Sequence, residues 1–299
     1  MEKLISKIKR LKRERNIVIL AHNYQPPEIQ DIADFVGDSL DLSRKATKVS
    51  SKYIVFCGVN FMAESAQILN PDKIVLHPSL DARCPMADMV NIKELERLQD
   101  ENPDALTVAY INTTAETKAM ADICCTSANA VHVIKKLDAK KIIFVPDRNL
   151  GSYVKRFVVD KEIMIWPGYC HTHENISKDD ILRLKSKYPN AEIMVHPECR
   201  SDVIDIADFV FSTNGMVKHV RESKAKEFIV GTEKGLCYRL RKENPDKRFY
   251  EIDKAVCPDM KKITLEKILA SMENLEPRVE LSSNVMEMAK KPLDKMLEI

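Results

Sequence analysis

Residues Asp31–Ser39 read DIADFVGDS, and almost the same letters return as DIADFVFST at Asp205–Thr213. A weaker copy, AMADICCTS, lies between them at Ala119–Ser127. When the copies are aligned on their Ala-Asp pairs, successive copies are 88 and 86 residues apart. A fixed period of this length indicates a repeated structural unit. Across the 299 residues, we predict three units and a C-terminal segment, at residues 1–87, 88–174, 175–261 and 262–299.

The same order of helix and strand patterns recurs in each predicted unit. A charged amphipathic helix comes first, and an apolar run such as IVILAHNY at 17–24 then ends at a polar turn. Such a run is typical of a buried parallel strand. A short helix carrying the Ala-Asp pair follows, and then two more strands alternate with two more helices. We therefore predict an α/β fold of three αβα domains, related by pseudo-threefold symmetry, each with a small three-stranded parallel sheet. The C-terminal segment reads as helices that pack back on this assembly.

Composition restricts the classes of function. The net charge is +2 with 31% charged residues, and no basic stripe predicts a nucleic-acid partner. No apolar run is long enough to span a membrane, so we expect a cytoplasmic protein without a membrane partner. Eight cysteines in such a chain favour metal ligands, catalytic groups or buried thiols over disulfides. Seven glycines form no nucleotide-binding fingerprint.

Polar residues occupy matched positions where the first strand of each predicted unit ends. They are His22 and Tyr24 in the first unit, Tyr110 and Asn112 in the second, and His196 and Glu198 in the third. In parallel αβα units, ligands bind beyond the carboxyl ends of the strands. The copies keep polar side chains but change their identity, which favours three units that face one asymmetric ligand at a central site. The alternative is that these are turn formers and satisfied polar groups.

A hydroxyl residue lies six positions after the Ala of each Ala-Asp pair: Ser39, Ser127 and Thr213. Each precedes a helical pattern, where Ser or Thr is most often an N-cap. Helix N-termini also present free N–H groups and the positive end of the helix dipole, which bind carboxylate or phosphate. Three such positions around one axis predict three anion sites, and a capping role remains compatible with this prediction.

Three cysteines are also in register with the repeat: Cys84, Cys170 and Cys257, at spacings of 86 and 87. Three thiolates that converge on one axis would hold an iron–sulfur cluster or zinc. Three ligands on a four-iron cluster leave one iron open, and an open metal is a Lewis acid for a substrate. We expect Cys57, Cys124, Cys125 and Cys237 to be buried thiols. Cys199 is a spare thiol next to Glu198, without a counterpart in the other units.

Long ordered motifs carry a resemblance to a known family. AHNYQPPEIQDIADFVGDSLDL, FMAE, CPMA, YINTTAETKAMAD, TSANA, PDRNLG, VHPEC, STNGM, GTE and AVCPDMKK, between Asn16 and Lys262, resemble the quinolinate synthase (NadA) family. The resemblance implies condensation of iminoaspartate with dihydroxyacetone phosphate to quinolinate, with loss of phosphate and two waters, in NAD biosynthesis. It implies a [4Fe–4S] cluster on Cys84, Cys170 and Cys257. An enzyme that supplies iminoaspartate is a candidate protein partner. Some members carry CxxCxxC at the third ligand, whereas Pro258, Asp259 and Met260 follow Cys257 here.

The resemblance also implies a set of substrate-binding residues in this chain: His22, Tyr24, Ser39, Tyr110, Ile111, Asn112, Ser127, His196, Pro197, Glu198 and Thr213. Phe61, Met62 and Glu64 are expected to line the same cavity. Tyr24, Glu198, Tyr110 and Asn112 are the candidate catalytic residues. We expect Glu198 to act as a carboxylate base and Tyr24 as a proton donor, while His22 and His196 orient carboxylates of the substrate.

Two other classes of function share part of this pattern. Another three-unit [4Fe–4S] enzyme, a dehydratase or reductase such as the one that acts on a hydroxymethylbutenyl diphosphate, would also have three cysteines and three repeats. The AHNY, FMAE and VHPEC motifs favour the quinolinate synthase family over it. A non-enzymatic iron–sulfur or zinc protein that binds a small anion is the second alternative, and the matched catalytic-type residues argue against it.

Overall fold

The computed structural model describes residues 1–299 and contains three parallel sheets of four strands each. The first unit comprises α1 (Glu2–Glu14), β1 (Ile17–His22), α2 (Pro27–Ile32), β2 (Phe35–Gly37), α3 (Ser39–Lys48), β3 (Tyr53–Cys57), α4 (Asn60–Leu69) and β4 (Ile74–Leu76). The second comprises α5 (Ile92–Glu101), β5 (Ala105–Tyr110), α6 (Ala115–Ala119), β6 (Ile123–Cys125), α7 (Ala130–Lys136), β7 (Lys141–Val145), α8 (Arg148–Lys155) and β8 (Glu162–Ile165).

The third unit follows a short helix, α9 (His171–Glu174). It comprises α10 (Lys178–Lys187), β9 (Glu192–Val195), α11 (Ser201–Ile204), β10 (Phe209–Val210), α12 (Thr213–Glu222), β11 (Glu227–Gly231), α13 (Leu236–Glu243) and β12 (Arg248–Glu251). Two 3-10 turns lie at Ala87–Met89 and Asp259–Lys262, and the chain ends with α14 (Leu265–Asn274) and α15 (Ser283–Glu298). No helix of the protein has the combination of length and apolar character that crossing a bilayer requires.

The three sheets have one topology, with strand orders β2-β1-β3-β4, β6-β5-β7-β8 and β10-β9-β11-β12. This confirms the predicted α/β fold with three αβα layers. The prediction of three strands per sheet was wrong, because the repeated Ala-Asp segment supplies a fourth, edge strand of two or three residues. In the first unit, the short helix ends at Ile32, before the Ala-Asp pair that it was expected to carry.

The aspartate of each Ala-Asp pair joins this edge strand to the first strand of its sheet. The carboxylate of Asp34 accepts the N–H of Ile19 at 2.8 Å, while the Asp34 N–H donates to the carbonyl of Ile19 at 2.9 Å. Asp122 makes the same two bonds to Thr107, and Asp208 makes them to Ile193. The side chain thus supplies an acceptor where the ladder of two or three residues is too short to supply one. This hydrogen bond from the strand backbone to the aspartate gives a structural reason for the repeated Ala-Asp pair.

The C-terminal helices join the units from outside the sheets. Helix α14 packs on α1, whereas α15 packs against α4 of the first unit and against α6 and β6 of the second. A single large apolar core also draws fully or nearly fully buried side chains from all three units, among them Phe56, Phe144 and Phe228. Shared burial of this kind fixes the three small sheets relative to one another, and smaller separate apolar clusters lie in the third unit and between the first unit and the C-terminal segment.

Replacing Asp122 by Ala should lower the stability of the protein. The substitution leaves the N–H of Thr107 without its acceptor at an inner strand, which costs about 1–3 kcal/mol. Thermal unfolding of the metal-free protein measures this loss. Asp138→Ala, at an exposed turn position, is the matched control and should unfold with the wild type. An unchanged melting temperature in Asp122→Ala would show that the carboxylate does not support the edge strand.

Candidate active site where the three sheets meet

The carboxyl ends of the central strands face one cavity. Most of the predicted site residues line it: His22, Tyr24, Ser39, Tyr110, Ile111, Asn112, Ser127, His196, Glu198, Thr213, Phe61, Met62, Cys84, Cys170 and Cys257. Two do not. Pro197 lines a neighbouring cavity, which Ser127 also borders, and Glu64 instead accepts the N–H of Ala115 at 3.1 Å.

Glu198 accepts hydrogen bonds on both carboxylate oxygens in this cavity. It follows β9, is 3% exposed, and receives its donors from the second unit and the short helix α9 after it. Tyr110 donates its O–H to Oε1 at 2.5 Å and Asn112 donates Nδ2–H to the same oxygen at 3.2 Å. Nδ1 of His173 lies 2.7 Å from Oε2. The third unit thus supplies a buried acceptor, and the second unit supplies its donors.

These donors keep Glu198 ionised. Burial alone would raise the pKa of Glu198, but its contact with His173 and the hydrogen bond from Tyr110 outweigh burial and lower the pKa. The site therefore contains a fixed negative charge at neutral pH. A carboxylate held this firmly accepts a proton only when one of its donors turns to a substrate.

A chain of three short contacts connects Glu198 to Tyr24. The Tyr24 O–H lies 2.7 Å from Oγ1 of Thr232, and this oxygen lies 2.8 Å from Nε2 of His173. If Nδ1–H of His173 donates to Glu198, its Nε2 accepts the Thr232 O–H, and Thr232 in turn accepts the Tyr24 O–H. All four groups are buried. The arrangement can therefore pass a proton between a phenol and a carboxylate without water.

Both tyrosines retain their protons. Burial raises the pKa of Tyr24 and of Tyr110 well above the usual value, and the negative charge of Glu198 raises both further. His22 and His196 are neutral, because burial lowers the pKa of each to about 3. Nδ1 of each histidine accepts the N–H of the residue two positions later. Their Nε2–H groups are thus available as neutral donors for an anionic ligand.

The predicted hydroxyl residues are not helix caps. Helices α3 and α12 begin at Ser39 and Thr213, but the cap is the residue before each: Asp38 accepts the N–H of Asp41, and Ser212 accepts the N–H of Gly215. Helix α7 begins at Ala130, so the expectation that Ser127 starts a helix was wrong. Sequence patterns place a helix start only within a few residues.

The absence of a capping role leaves two of these hydroxyls free for a ligand. Thr213 accepts the side-chain N–H of Asn23 at 2.8 Å, whereas no protein group bonds the hydroxyl of Ser39 or of Ser127. Both serines border the cavity. A polar group at a cavity wall without a protein partner is suited to hydrogen-bond a bound molecule.

The three in-register cysteines all line the cavity, each directly before or close to a short helical turn. Each is partly exposed, whereas the other five cysteines are buried, and none of the eight forms a disulfide. Cys199 accordingly lies in the core, with Sγ 3.4 Å from the carbonyl of Gly231. Burial raises the pKa of Cys170 well above its usual value, and the charges of Glu198, Cys84 and Cys257 add to this effect. Three thiols that repel one another when ionised are typical of a metal site.

Two groups of side chains hold metal-ligating atoms within 4.8 Å of one another: Cys170, His173 and Glu198 in one, and His171, Cys257 and Asp259 in the other. Each group contains one of the matched cysteines. The sulfur atoms of the three matched cysteines do not all approach one another this closely. The protein therefore presents a donor set suited to a metal cofactor.

Sequence reasoning missed two members of the site, His173 and Thr232. Neither residue has a polar counterpart at the matching position of the other two units, and such matches guided the predictions. A signal was nevertheless present, because Thr232 directly follows β11 and His173 lies three residues after Cys170. The side chains of Met86 and Met260, which line the cavity, were also missed, because a methionine in the sequence resembles an ordinary core residue.

Comparison with known proteins agrees with this geometry. A family model described as "Quinolinate synthetase A protein" matches residues 6–298. A protein of Thermodesulfovibrio yellowstonii named "Quinolinate synthase" is 53% identical over 300 residues, covering 100% of this chain and 99% of that protein. A protein of Methanosarcina barkeri with the same name is 52% identical, covering 99% of this chain and 97% of its own. The chain therefore belongs to the quinolinate synthetase A family of enzymes.

Proposed function

We propose that the protein condenses iminoaspartate with dihydroxyacetone phosphate to quinolinate, releasing phosphate and two waters, as a cytoplasmic step of NAD biosynthesis. One observation carries the proposal: the contact chain from Tyr24 through Thr232 and His173 to Glu198 lies in the cavity that the three matched cysteines border. The relatives' names support the choice of product.

The overall reaction requires proton transfer but no external oxidant. Its atoms balance with phosphate and two waters as the only other products, so the chain's residues must bind anions, exclude water and move protons. The substrates carry two carboxylates and one phosphate. The free hydroxyls of Ser39 and Ser127 and the neutral Nε2–H donors of His22 and His196 are suited to these groups.

We assign proton transfer to Tyr24 and Glu198. Tyr24 keeps its proton at neutral pH and is the proton donor, because burial raises its pKa. Glu198 receives a proton once the substrate takes over one of its donors, such as Asn112. Thr232 and His173 connect the two groups, and the proton returns from Glu198 to Tyr24 for the next turnover once His173 adopts its Nε2–H tautomer, with Nδ1 free to accept from Glu198. Tyr110 orients Glu198 through its O–H.

Cys84, Cys170 and Cys257 are the residues that would hold a [4Fe–4S] cluster. Three thiols in the lining of one cavity are a donor set that suits an iron–sulfur cluster. When bound with an open iron, such a cluster supplies Lewis-acid assistance to a departing hydroxyl.

Cys170→Ser should abolish or strongly reduce bound iron in protein purified without oxygen, because it removes one of three ligands. Cys237→Ser, a buried thiol in helix α13, is the matched control and should retain the wild-type content of about four iron and four sulfide. Metal and sulfide analysis distinguishes the cases. Full iron in Cys170→Ser would contradict the three-cysteine assignment, and zinc in the wild type would contradict the cluster.

Tyr24→Phe should lower kcat by about 10²–10⁴, because it removes only the transferable proton. Iron content should stay unchanged, and Glu198→Gln should show a similar loss. Tyr250→Phe removes a hydroxyl that donates to Glu227, away from the cavity, and should leave kcat unaltered. Near-normal turnover by Tyr24→Phe would remove the phenol from the mechanism and leave it as a wall of the cavity.

Ser127→Ala should raise KM without lowering the melting temperature, because its hydroxyl caps no helix. Ser282 provides the opposite case, since its side chain caps α15 by accepting the N–H of Val285 at 3.3 Å. Ser282→Ala should lose about 1 kcal/mol of stability with unchanged KM. Measuring both quantities for both variants separates binding from capping. A stability loss with normal KM in Ser127→Ala would exclude the anion-binding role.

A further inference from the structure

A further matched set of residues lies behind the cysteines. Asn60, Asp147 and Glu233 lie just beyond the third strand of each unit (β3, β7 and β11), at spacings of 87 and 86 residues. They precede Cys84, Cys170 and Cys257 by 24, 23 and 24 residues, respectively. The three side chains differ in chemistry, but each offers an acceptor oxygen. The register matches that of the cysteines themselves.

Each of these side chains faces the backbone of its own cysteine. Oδ1 of Asn60 accepts the N–H of Cys84 at 3.1 Å, and Oε1 of Glu233 accepts the N–H of Cys257 at 3.3 Å. Main-chain bonds reinforce the pattern two residues before each cysteine. The N–H of Asn60 donates to Ala82 at 2.9 Å, and in the other units the residue after the matched one donates, Arg148 to Gly168 at 2.8 Å and Lys234 to Ala255 at 2.9 Å.

The matching side chain of the second unit is Asp147, and one of its two oxygens is unpaired. Oδ1 of Asp147 caps helix α8 by accepting the N–H of Asn149 and of Leu150, whereas its fully buried Oδ2 has no hydrogen-bond partner. A bridge between Asp147 and Gly168, with the Arg148 N–H bonded to the Gly168 carbonyl at 2.8 Å, holds this segment beside the loop of Cys170. The unpaired oxygen is therefore an acceptor close to that loop.

Glu233 has a second role that reaches across a unit boundary. It is completely buried, and its Oε1 lies 2.8 Å from Nζ of Lys261, which also donates to the carbonyl of Tyr24. Its Oε2 accepts the N–H of Gly235 at 2.7 Å. The loop of Cys257 is thereby joined to the strand end that carries Tyr24. The position of one cysteine and that of the proposed proton donor depend on the same carboxylate.

We propose that Asn60, Asp147 and Glu233 are positioning residues that fix the three cysteine loops for a metal cluster, a role that rests on the proposed function. The backbone of each loop sets the position of its cysteine thiol. A side chain anchored at a strand end in turn holds the backbone amide of that cysteine. Loops held in this way need no ordering when the metal binds. Outer contacts of this kind typically change metal retention 10–100-fold.

The test is the rate of iron loss from the anaerobically purified protein to an external iron(II) chelator. Asp147→Asn keeps an oxygen for the cap of α8 but replaces the unpaired oxygen by a donor, so its melting temperature without metal should be that of the wild type. Iron loss should nevertheless be about 10–100-fold faster. Asp138→Asn, at an exposed turn position, is the matched control and should release iron at the wild-type rate.

Asn60 provides a rescue experiment. Asn60→Leu removes the acceptor for the Cys84 N–H and should release iron about 10–100-fold faster, whereas Asn60→Asp restores an acceptor and should approach the wild type. Equal rates in the wild type, Asn60→Leu and Asp147→Asn would overturn the positioning role while leaving the cluster intact. Equally fast loss in Asn60→Leu and Asn60→Asp would also overturn it. A wild type that binds no iron would instead overturn the proposed cluster, and the positioning role with it.

Discussion

The buried carboxylate of Glu198 is the charge on which the arrangement of this site depends. A carboxylate that is 3% exposed is stable only with donors on both oxygens. Its own unit does not supply them, since Tyr110 and Asn112 come from the second unit and His173 from the short helix α9 that follows it. Thr232 extends the same contacts to Tyr24 of the first unit. A displacement of the second unit relative to the third would therefore leave a buried charge unpaired.

The repeat explains how one chain builds an asymmetric site from similar parts. Positions that serve structure keep their residue, as in Asp34, Asp122 and Asp208, which bond the first strand of each sheet in the same way. Positions that face the cavity keep polarity but change identity, because the three units present different groups to one ligand. The cysteines combine both behaviours, being identical in type and directed inward.

Much of the fold follows from the sequence because long apolar strands and amphipathic helices carry strong patterns, as in β1 and α10. The edge strands β2, β6 and β10 could not be predicted, since two or three residues show no periodicity and their pairing depends on the aspartate beside them. The cavity residues at strand ends were predictable from the repeat. His173 and Thr232 were not, because their roles arise from contacts between units. Asn60, Asp147 and Glu233 could have been found by extending the same period to acceptor side chains.

The central claim is that this cavity performs a redox-neutral condensation assisted by a cluster on three cysteines. The most direct measurement supplies anaerobically purified, iron-replete protein with iminoaspartate and dihydroxyacetone phosphate, and quantifies quinolinate and phosphate together. The account predicts equal amounts of both products without an added oxidant or reductant, and none after removal of the iron. Iron-replete protein that forms no quinolinate, or equal turnover by metal-free protein, would contradict it.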